Sequence, residues 1–294
     1  MAINRRRAPS SQISSFKKQE GHRNEEIYAN LIAGKVITGT GKTDVVDNGG
    51  RKHSVKSGKK WQIFLYGQER ISNSKFLKIL EPCLKAFPED SGDYFNDRVR
   101  CIEFKESYLK KYGKVKAKTL TNSELSEILG SNSYMLSKES LASANAKVCK
   151  SLAGKETLRD FLEEAIFNSG EVDFLSIKDE TMSRDNRFKV FSKKDVLDAL
   201  SEKLVPEMSK AGNVVVDFNV AQQKTLLRYL RSDGNFKNVV EIEIRNDSPT
   251  HYRQVRFNMY SKDVLAILFG YLEGRKIDKK NDQTWIYGSA VTHL

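Results

Sequence analysis

The sequence predicts a mixed α/β fold: a mixed β-sheet flanked by helices, with a helical insertion in the middle of the chain. Three observations carry this. Short β-branched segments surround an Asp-Asn-Gly-Gly turn that begins at Asp47. Residues 105–165 have mostly helical spacing, and strand-like segments return beyond residue 170.

Taken in order, residues 1–20 read as a basic flexible arm. "GHRNEEIYANLIAG" then places Ile27, Tyr28, Leu31 and Ile32 on one helical stripe and stops at Gly34. "KVITGT", "TDVVD" and "KHSVK" are short strands, and "WQIFLYG" is either a strand or the start of a buried helix. "SNSKFLKILEPCLKAF" has helical spacing and ends before Pro88. These pieces delimit a core segment, 21–104. In the helical segment, 105–165, "TNSELSEILG" opens with a capping box, Thr121 and Glu124, and "SKESLASANAKVCKSLAG" and "KETLRDFLEEAIFNSG" follow. Residues 166–294 form a mixed α/β segment. Its strands are "EVDFLSIKD", "NVVVDFNV", "VVEIEIRND" and "YRQVRFNMY". "SKKDVLDALSEKL", "AQQKTLLRYLRSD" and "SKDVLAILFGYLEG" are its expected helices, and "TWIYG" is read as C-terminal packing.

A chain of 294 residues allows one large domain or two modest ones. With 39% apolar and 30% charged residues it has an ordinary globular composition, and no apolar run suggests a membrane partner. The Arg-rich N-terminus has no apolar centre, so it is not expected to be a secretory signal. The three cysteines form no C-x-x-C pair, which fits a reducing cytoplasm, and the four histidines lack H-E-x-x-H spacing, which disfavours a zinc hydrolase. A net charge of +12 attracts polyanions, because neutralising phosphates releases counterions.

"GTGKTDVVDNGGRKHSVKSG", residues 39–58, carries Gly-Lys-Thr near its start. A phosphate-binding loop would need glycine at position 36, which is Val36, and a helix after Thr43, where Val-Val-Asp-Asn-Gly-Gly stands instead. That reading fails. The rest of the stretch carries Asp44 on one strand and Ser54-Val55-Lys56 on the next. Residues two apart on a strand share a face, so such a hairpin can gather a carboxylate and a lysine beside a phosphate.

"TDVVDNGGRKHSVKSG" resembles the PD-(D/E)xK nuclease superfamily, most closely type II restriction endonucleases, and the upstream Gly21-x-x-x-Glu25 and the downstream Gln62 extend the resemblance over about residues 21–70. It implies a restriction-endonuclease-like core and Mg²⁺-dependent, site-specific cleavage of double-stranded DNA. Asp44, Glu25 and the Val55 carbonyl would serve as metal ligands. Lys56 would orient or deprotonate the attacking water, and Gln62 would position substrate or the lysine. Ser54 occupies the position of the motif's acidic residue, so a charged ligand is missing. Glu26, Asp47, Glu241 or Glu243 could replace it, or the chain could be a catalytically inactive DNA- or RNA-binding protein on the same fold. A homodimer and a cognate DNA methyltransferase in the host are further implied partners.

Register offers a check on this reading. A two-residue Asn48-Gly49 loop would set Asp44 opposite His53, whereas a three-residue loop, Asn48 to Gly50, sets it opposite Ser54. The motif requires the second, and that register is expected.

The other informative stretch is "VVEIEIRNDSPTHYRQVRFNMYSKD". It concentrates Arg245, Asn246, Ser248, His251, Tyr252, Arg253 and Arg256 around a polar turn. Such side chains suit base edges and phosphates, and a β-ribbon can enter a major groove. A charged edge hairpin, with Glu241 and Glu243 paired to arginines, is the competing reading. Arg5, Arg6 and Arg7 could track phosphates or remain solvated.

Overall fold

The computed structural model describes residues 11–39, 41–117, 127, 133–178, 187–209 and 223–294. The chain is α/β, with one mixed and one antiparallel sheet flanked by helices. It divides into two compact units interleaved in sequence. The first comprises 1–61, 166–200 and 260–294, and the second 62–165 and 201–259. The division therefore cuts across the contiguous segments expected from sequence, and residues 21–104 contribute to both units.

The first unit is built on a seven-stranded sheet. Its strands are β1 (Lys35–Val36), β2 (Val45–Val46), β3 (Lys52–Ser57), β5 (Phe174–Lys178), β6 (Phe188–Ser192), β12 (Thr284–Tyr287) and β11 (Ile277–Asn281), in that spatial order. β3 pairs antiparallel with β2 and parallel with β5. The latter pairing lets β3 run into the sheet interior, where His53, Ser54 and Val55 are all buried. Helix α1 (Ser11–Leu31) packs Tyr28, Ala29 and Ile32 against Val45, Val55, Phe174, Phe188 and Ile286. Its end is tied by Asn281 Nδ2, which donates to the Leu31 carbonyl at 2.9 Å. The unit is completed by α7 (Lys193–Lys203) and α8 (Ser261–Tyr271).

The second unit holds most of a five-stranded sheet, ordered β4 (Lys60–Tyr66), β10 (Gln254–Tyr260), β9 (Phe236–Arg245), β8 (Thr225–Leu230) and β7 (Val205–Met208). Its helices are α2 (Gln68–Asn73), α3 (Glu81–Lys85), α4 (Gly92–Ala117) and α5 (Ser133–Leu152), with α6 (Lys155–Phe167) running to its boundary. Phe64, Phe161 and Phe257 form a ring cluster in its core. No helix among the described residues is long and apolar enough to cross a membrane.

Several expectations are corrected. The arm assigned to residues 1–20 is helical from Ser11, because no proline or glycine interrupts the chain between Pro9 and Gly21. The helix expected in "AQQKTLLRYLRSD" is strand β8. Leu226, Leu227 and Leu230 fit helical spacing, but β7 and β9 claim the backbone hydrogen bonds on both sides, and pairing overrides propensity. The stretch expected as one helix over 72–87 is split: α2 ends at Asn73, a 3₁₀ turn spans Leu77–Leu80, and α3 follows. "WQIFLYG" resolves as strand. β6 carries no alternating signature, because "FKVFS" is buried at all five positions. The Thr121–Glu124 capping box, "NVVVDFNV" and Arg5, Arg6 and Arg7 lie outside the described residues.

Candidate active site at the Asp44 hairpin

The hairpin adopts the three-residue loop. Val45 pairs with His53 and Val46 with Lys52, while the Asp47 amide donates to the Arg51 carbonyl at 3.0 Å. Asn48, Gly49 and Gly50 form the loop, and Gly50 has φ of 76°, a left-handed conformation that glycine adopts without a Cβ penalty. Asp44 therefore stands opposite Ser54. Alternation along β3 turns His53 and Val55 toward α1, and Ser54 and Lys56 to the other face.

On that face, one carboxylate oxygen gathers three donors. Asp44 Oδ2 accepts from the Val55 amide at 2.7 Å, from Ser54 Oγ at 3.1 Å and from Lys56 Nζ at 3.0 Å. Lys56 Nζ also donates to the Val55 carbonyl at 3.1 Å. The Asp44 carboxylate and the Val55 carbonyl thus converge on one cation, the ammonium of Lys56. The Lys56 and Asp44 side chains are 21% and 20% exposed, so the pair lies at the surface of an otherwise buried strand. A solvent-facing hairpin would not put its second strand inside a seven-stranded sheet.

What holds Asp44 there was not visible in the sequence. Glu171 Oε1, from 129 residues away, accepts the Lys42 amide at 2.8 Å and the Thr43 amide at 3.2 Å, and Thr43 Oγ1 donates to the Glu171 carbonyl. Burial opposes ionisation of Glu171, but bonds from Asn168 and these amides outweigh it and hold the carboxyl below its usual range. The Lys42 and Thr43 amides do bind an anion, and it is the protein's own carboxylate. Asp173 locks the other end, accepting from the Lys52 amide at 2.9 Å and donating its own amide to the Lys52 carbonyl.

The other face is apolar and closed. His53 is fully buried, stacked on Phe174, with Nδ1 3.0 Å from the Tyr28 hydroxyl. Burial pushes the His53 pKa down to about 4 against the opposing pull of Asp47, and pushes the Tyr28 hydroxyl well above its usual value. Beside Lys56, Ser57 Oγ accepts from Asn24 Nδ2 at 3.1 Å, and Asn24 Oδ1 accepts from Lys178 Nζ at 2.7 Å. A second lysine is thereby fixed at the C-terminal end of β3.

The remaining expected site residues make no hydrogen bond to Asp44 or Lys56. Glu25 bonds His22 at 3.1 Å on its own helix. Glu26 is exposed on α1, and Gln62 is exposed on β4 in the other sheet. Asp47 is spent on the loop: its Oδ1 accepts from the Gly49 and Arg51 amides and its Oδ2 pairs with Arg51 at 2.7 Å. Burial works against that charge, but the Arg51 and Gly49 bonds prevail and keep the carboxyl below its usual range. Glu243 pairs with Arg256 and with Lys224, and Lys224 also lies 3.8 Å from Glu241.

No family model, curated protein or solved structure matches this chain. The site therefore rests on its own geometry. Among the described residues, no group of three or more His, Cys, Asp and Glu side chains could share a metal ion. The donors at the hairpin are still of the right kind for a hard cation. They are a carboxylate and a main-chain carbonyl, and Mg²⁺ commonly takes one or two carboxylates and completes its shell with water and phosphate.

The second expected constellation is partly internal. β9 and β10 pair from Gln254–Arg245 to Met259–Val240 and lie between β4 and β8, so they do not form a free ribbon or a sheet edge. Asn246 is buried and its Oδ1 accepts the Arg253 amide at 2.8 Å. Arg253 is buried at φ of 54°. Tyr252 donates to the Pro88 carbonyl at 2.8 Å and packs on Tyr94. Ser248 and His251 bond each other at 3.1 Å across the turn, and Arg245 pairs with Asp247 at 2.6 Å. The expected Glu243–arginine pairing is present, with Arg256 as its partner.

Proposed function

We propose that this chain is a Mg²⁺-dependent endonuclease of double-stranded DNA, built on a restriction-endonuclease-like core. The observation that carries the reading is the convergence of the Asp44 carboxylate, the Val55 carbonyl and the Lys56 ammonium in the register that the motif requires. Asp44 and the Val55 carbonyl would hold the ion, which lowers the pKa of a bound water and neutralises charge on the attacked phosphate. Lys56 supplies a cation for the phosphate oxygens or the attacking water. The Ser54 hydroxyl and the Val55 amide keep Asp44 aimed, and Glu171 holds the segment that leads into it. The net charge of +12 suits a polyanionic substrate. A homodimer on a palindromic site, with a protecting methyltransferase in a reducing cytoplasm, belongs to the same proposal.

One observation favours a second reading, a nucleic-acid-binding protein without cleavage. Ser54 contributes a hydroxyl that donates to Asp44 where the motif carries an acidic ligand. Incubating long duplex DNA with the protein in Mg²⁺ or EDTA, beside Asp44→Ala and Lys56→Ala, separates the two. Discrete Mg²⁺-dependent fragments lost in both variants support the nuclease. Salt-sensitive binding with intact DNA in every lane supports the second reading.

A further inference from the structure

The second unit contains a pocket that the hairpin chemistry does not use. Its volume is 270 Å³, and it lies between α4, α5 and the strands β9 and β10. That is just below the roughly 300–1,000 Å³ typical of small-molecule sites. Arg98, Lys224, Arg245 and Arg256 supply four cations to its lining, against the carboxylates of Glu243 and Asp247. Glu243 is shared by Arg256 and Lys224, and Asp247 by Arg245. Arg98 instead donates to a neutral acceptor, the Asp247 carbonyl, at 3.2 Å. The lining therefore keeps an excess of positive charge.

A separate observation points the same way. Asn246 is 3% exposed, and while its Oδ1 is engaged by the Arg253 amide, its Nδ2 has no hydrogen-bond partner among the described residues. A buried amide donor left unpaired costs about 1–3 kcal/mol, which a ligand acceptor would recover. Surplus cations, a planar guanidinium on a neutral carbonyl and an unpaired N–H donor together specify an anionic acceptor with several oxygens. Tyr94, Tyr134 and Ile244 form the less polar part of the wall.

We propose that this pocket binds a phosphate group, with Arg98 and Asn246 Nδ2 as its principal donors and Lys224, Arg245 and Arg256 closing around it. The inference is drawn from the second unit alone and stands whether or not the Asp44 hairpin cleaves DNA. The phosphate can belong to a free nucleotide or to a nucleic-acid backbone, and the test separates these sources.

The experiment uses the full chain carrying Lys56→Ala, in EDTA, so that cleavage plays no part. Isothermal titration with inorganic phosphate, adenosine monophosphate and an oligothymidylate lacking terminal phosphates is compared with the same titrations after Arg98→Gln and after Asn246→Asp. The second substitution keeps the oxygen that accepts from Arg253 and replaces the free donor with negative charge. Saturable binding of the mononucleotide, weakened about tenfold or more by each substitution, supports a free-phosphate site. The same pattern confined to the oligonucleotide supports a backbone site. No saturable binding of any probe, or binding that both folded variants retain in full, overturns the proposal. Should Arg98→Gln lose its circular-dichroism signature, Asn246→Asp alone decides.

Discussion

Replacing Lys56 by alanine separates a catalytic pair from an ordinary ion pair, because the two roles predict opposite balances of activity and stability. Lys56 and Asp44 are each about a fifth exposed and 3.0 Å apart, so solvent screens much of their attraction. Ion pairs at the surface contribute roughly 0.2–1 kcal/mol. After the substitution Asp44 Oδ2 still accepts from the Val55 amide and Ser54 Oγ, so no carboxylate is left without a donor. The expected loss of stability is about 1 kcal/mol or less, equivalent to about 2–4 °C in Tm for chains of comparable size. Positioned acid–base or charge-stabilising groups contribute on the order of 10²–10⁴ in rate. The assay is single-turnover cleavage of plasmid DNA in Mg²⁺, alongside thermal unfolding followed by circular dichroism. Asp44→Asn, which preserves shape and an acceptor oxygen, should behave like Lys56→Ala in both measurements. Cleavage within tenfold of the parent protein would sink the catalytic assignment. So would a Tm drop beyond about 10 °C, since Lys56 would then be acting through the fold.

Further outcomes follow from the surrounding structure. Glu171→Ala releases the Lys42 and Thr43 amides and should lower cleavage while costing roughly 1–3 kcal/mol in urea unfolding, whereas an unchanged rate would remove Glu171 as a positioning residue. His53 has a folded pKa near 4, below its ordinary value of about 6.5, so the unfolded chain binds the proton first. The stability this contributes is fully present above about pH 6.5 and is lost as pH falls toward 4, by at most about 1.4 kcal/mol per unit. Urea midpoints taken across that window should show the slope, and His53→Gln should flatten it. Gly288 has φ of 59°, and a Cβ there would lie 2.6 Å from Asp195 Oδ2 and 2.8 Å from Leu272 Cδ2. Gly288→Ala should therefore destabilise by about 1–3 kcal/mol, and a melting temperature equal to the parent's would contradict the strained geometry.

Much of the local structure follows from the sequence alone. Asp-Asn-Gly-Gly between β-branched segments specifies a turn, and the pairing of Val45 with His53 sets its loop at three residues with Asp44 opposite Ser54, whereas a one-residue slip would send every side chain to the opposite face. The apolar stripe of Ile27, Tyr28, Leu31 and Ile32 specifies the helix that covers the sheet. The juxtaposition of Asp44, Ser54, Val55 and Lys56 was legible for the same reason: all four lie within 13 residues of one another, and strand pleating places them.

Tertiary structure decided what depends on distant partners. "AQQKTLLRYLRSD" became a strand because β7 and β9 supply its hydrogen bonds, a fact that no window of its own residues contains. Glu171 and Lys178 reach the hairpin only because β5 pairs in parallel with β3, and a parallel pairing needs a long crossover that separates its strands in sequence. The cluster from Arg245 to Arg256 reads as surface recognition in one dimension. In three dimensions β9 and β10 are interior strands, so part of that polarity turns inward, onto Asn246, Arg253 and the basic pocket, where a polar atom without a partner, such as Asn246 Nδ2, is costly.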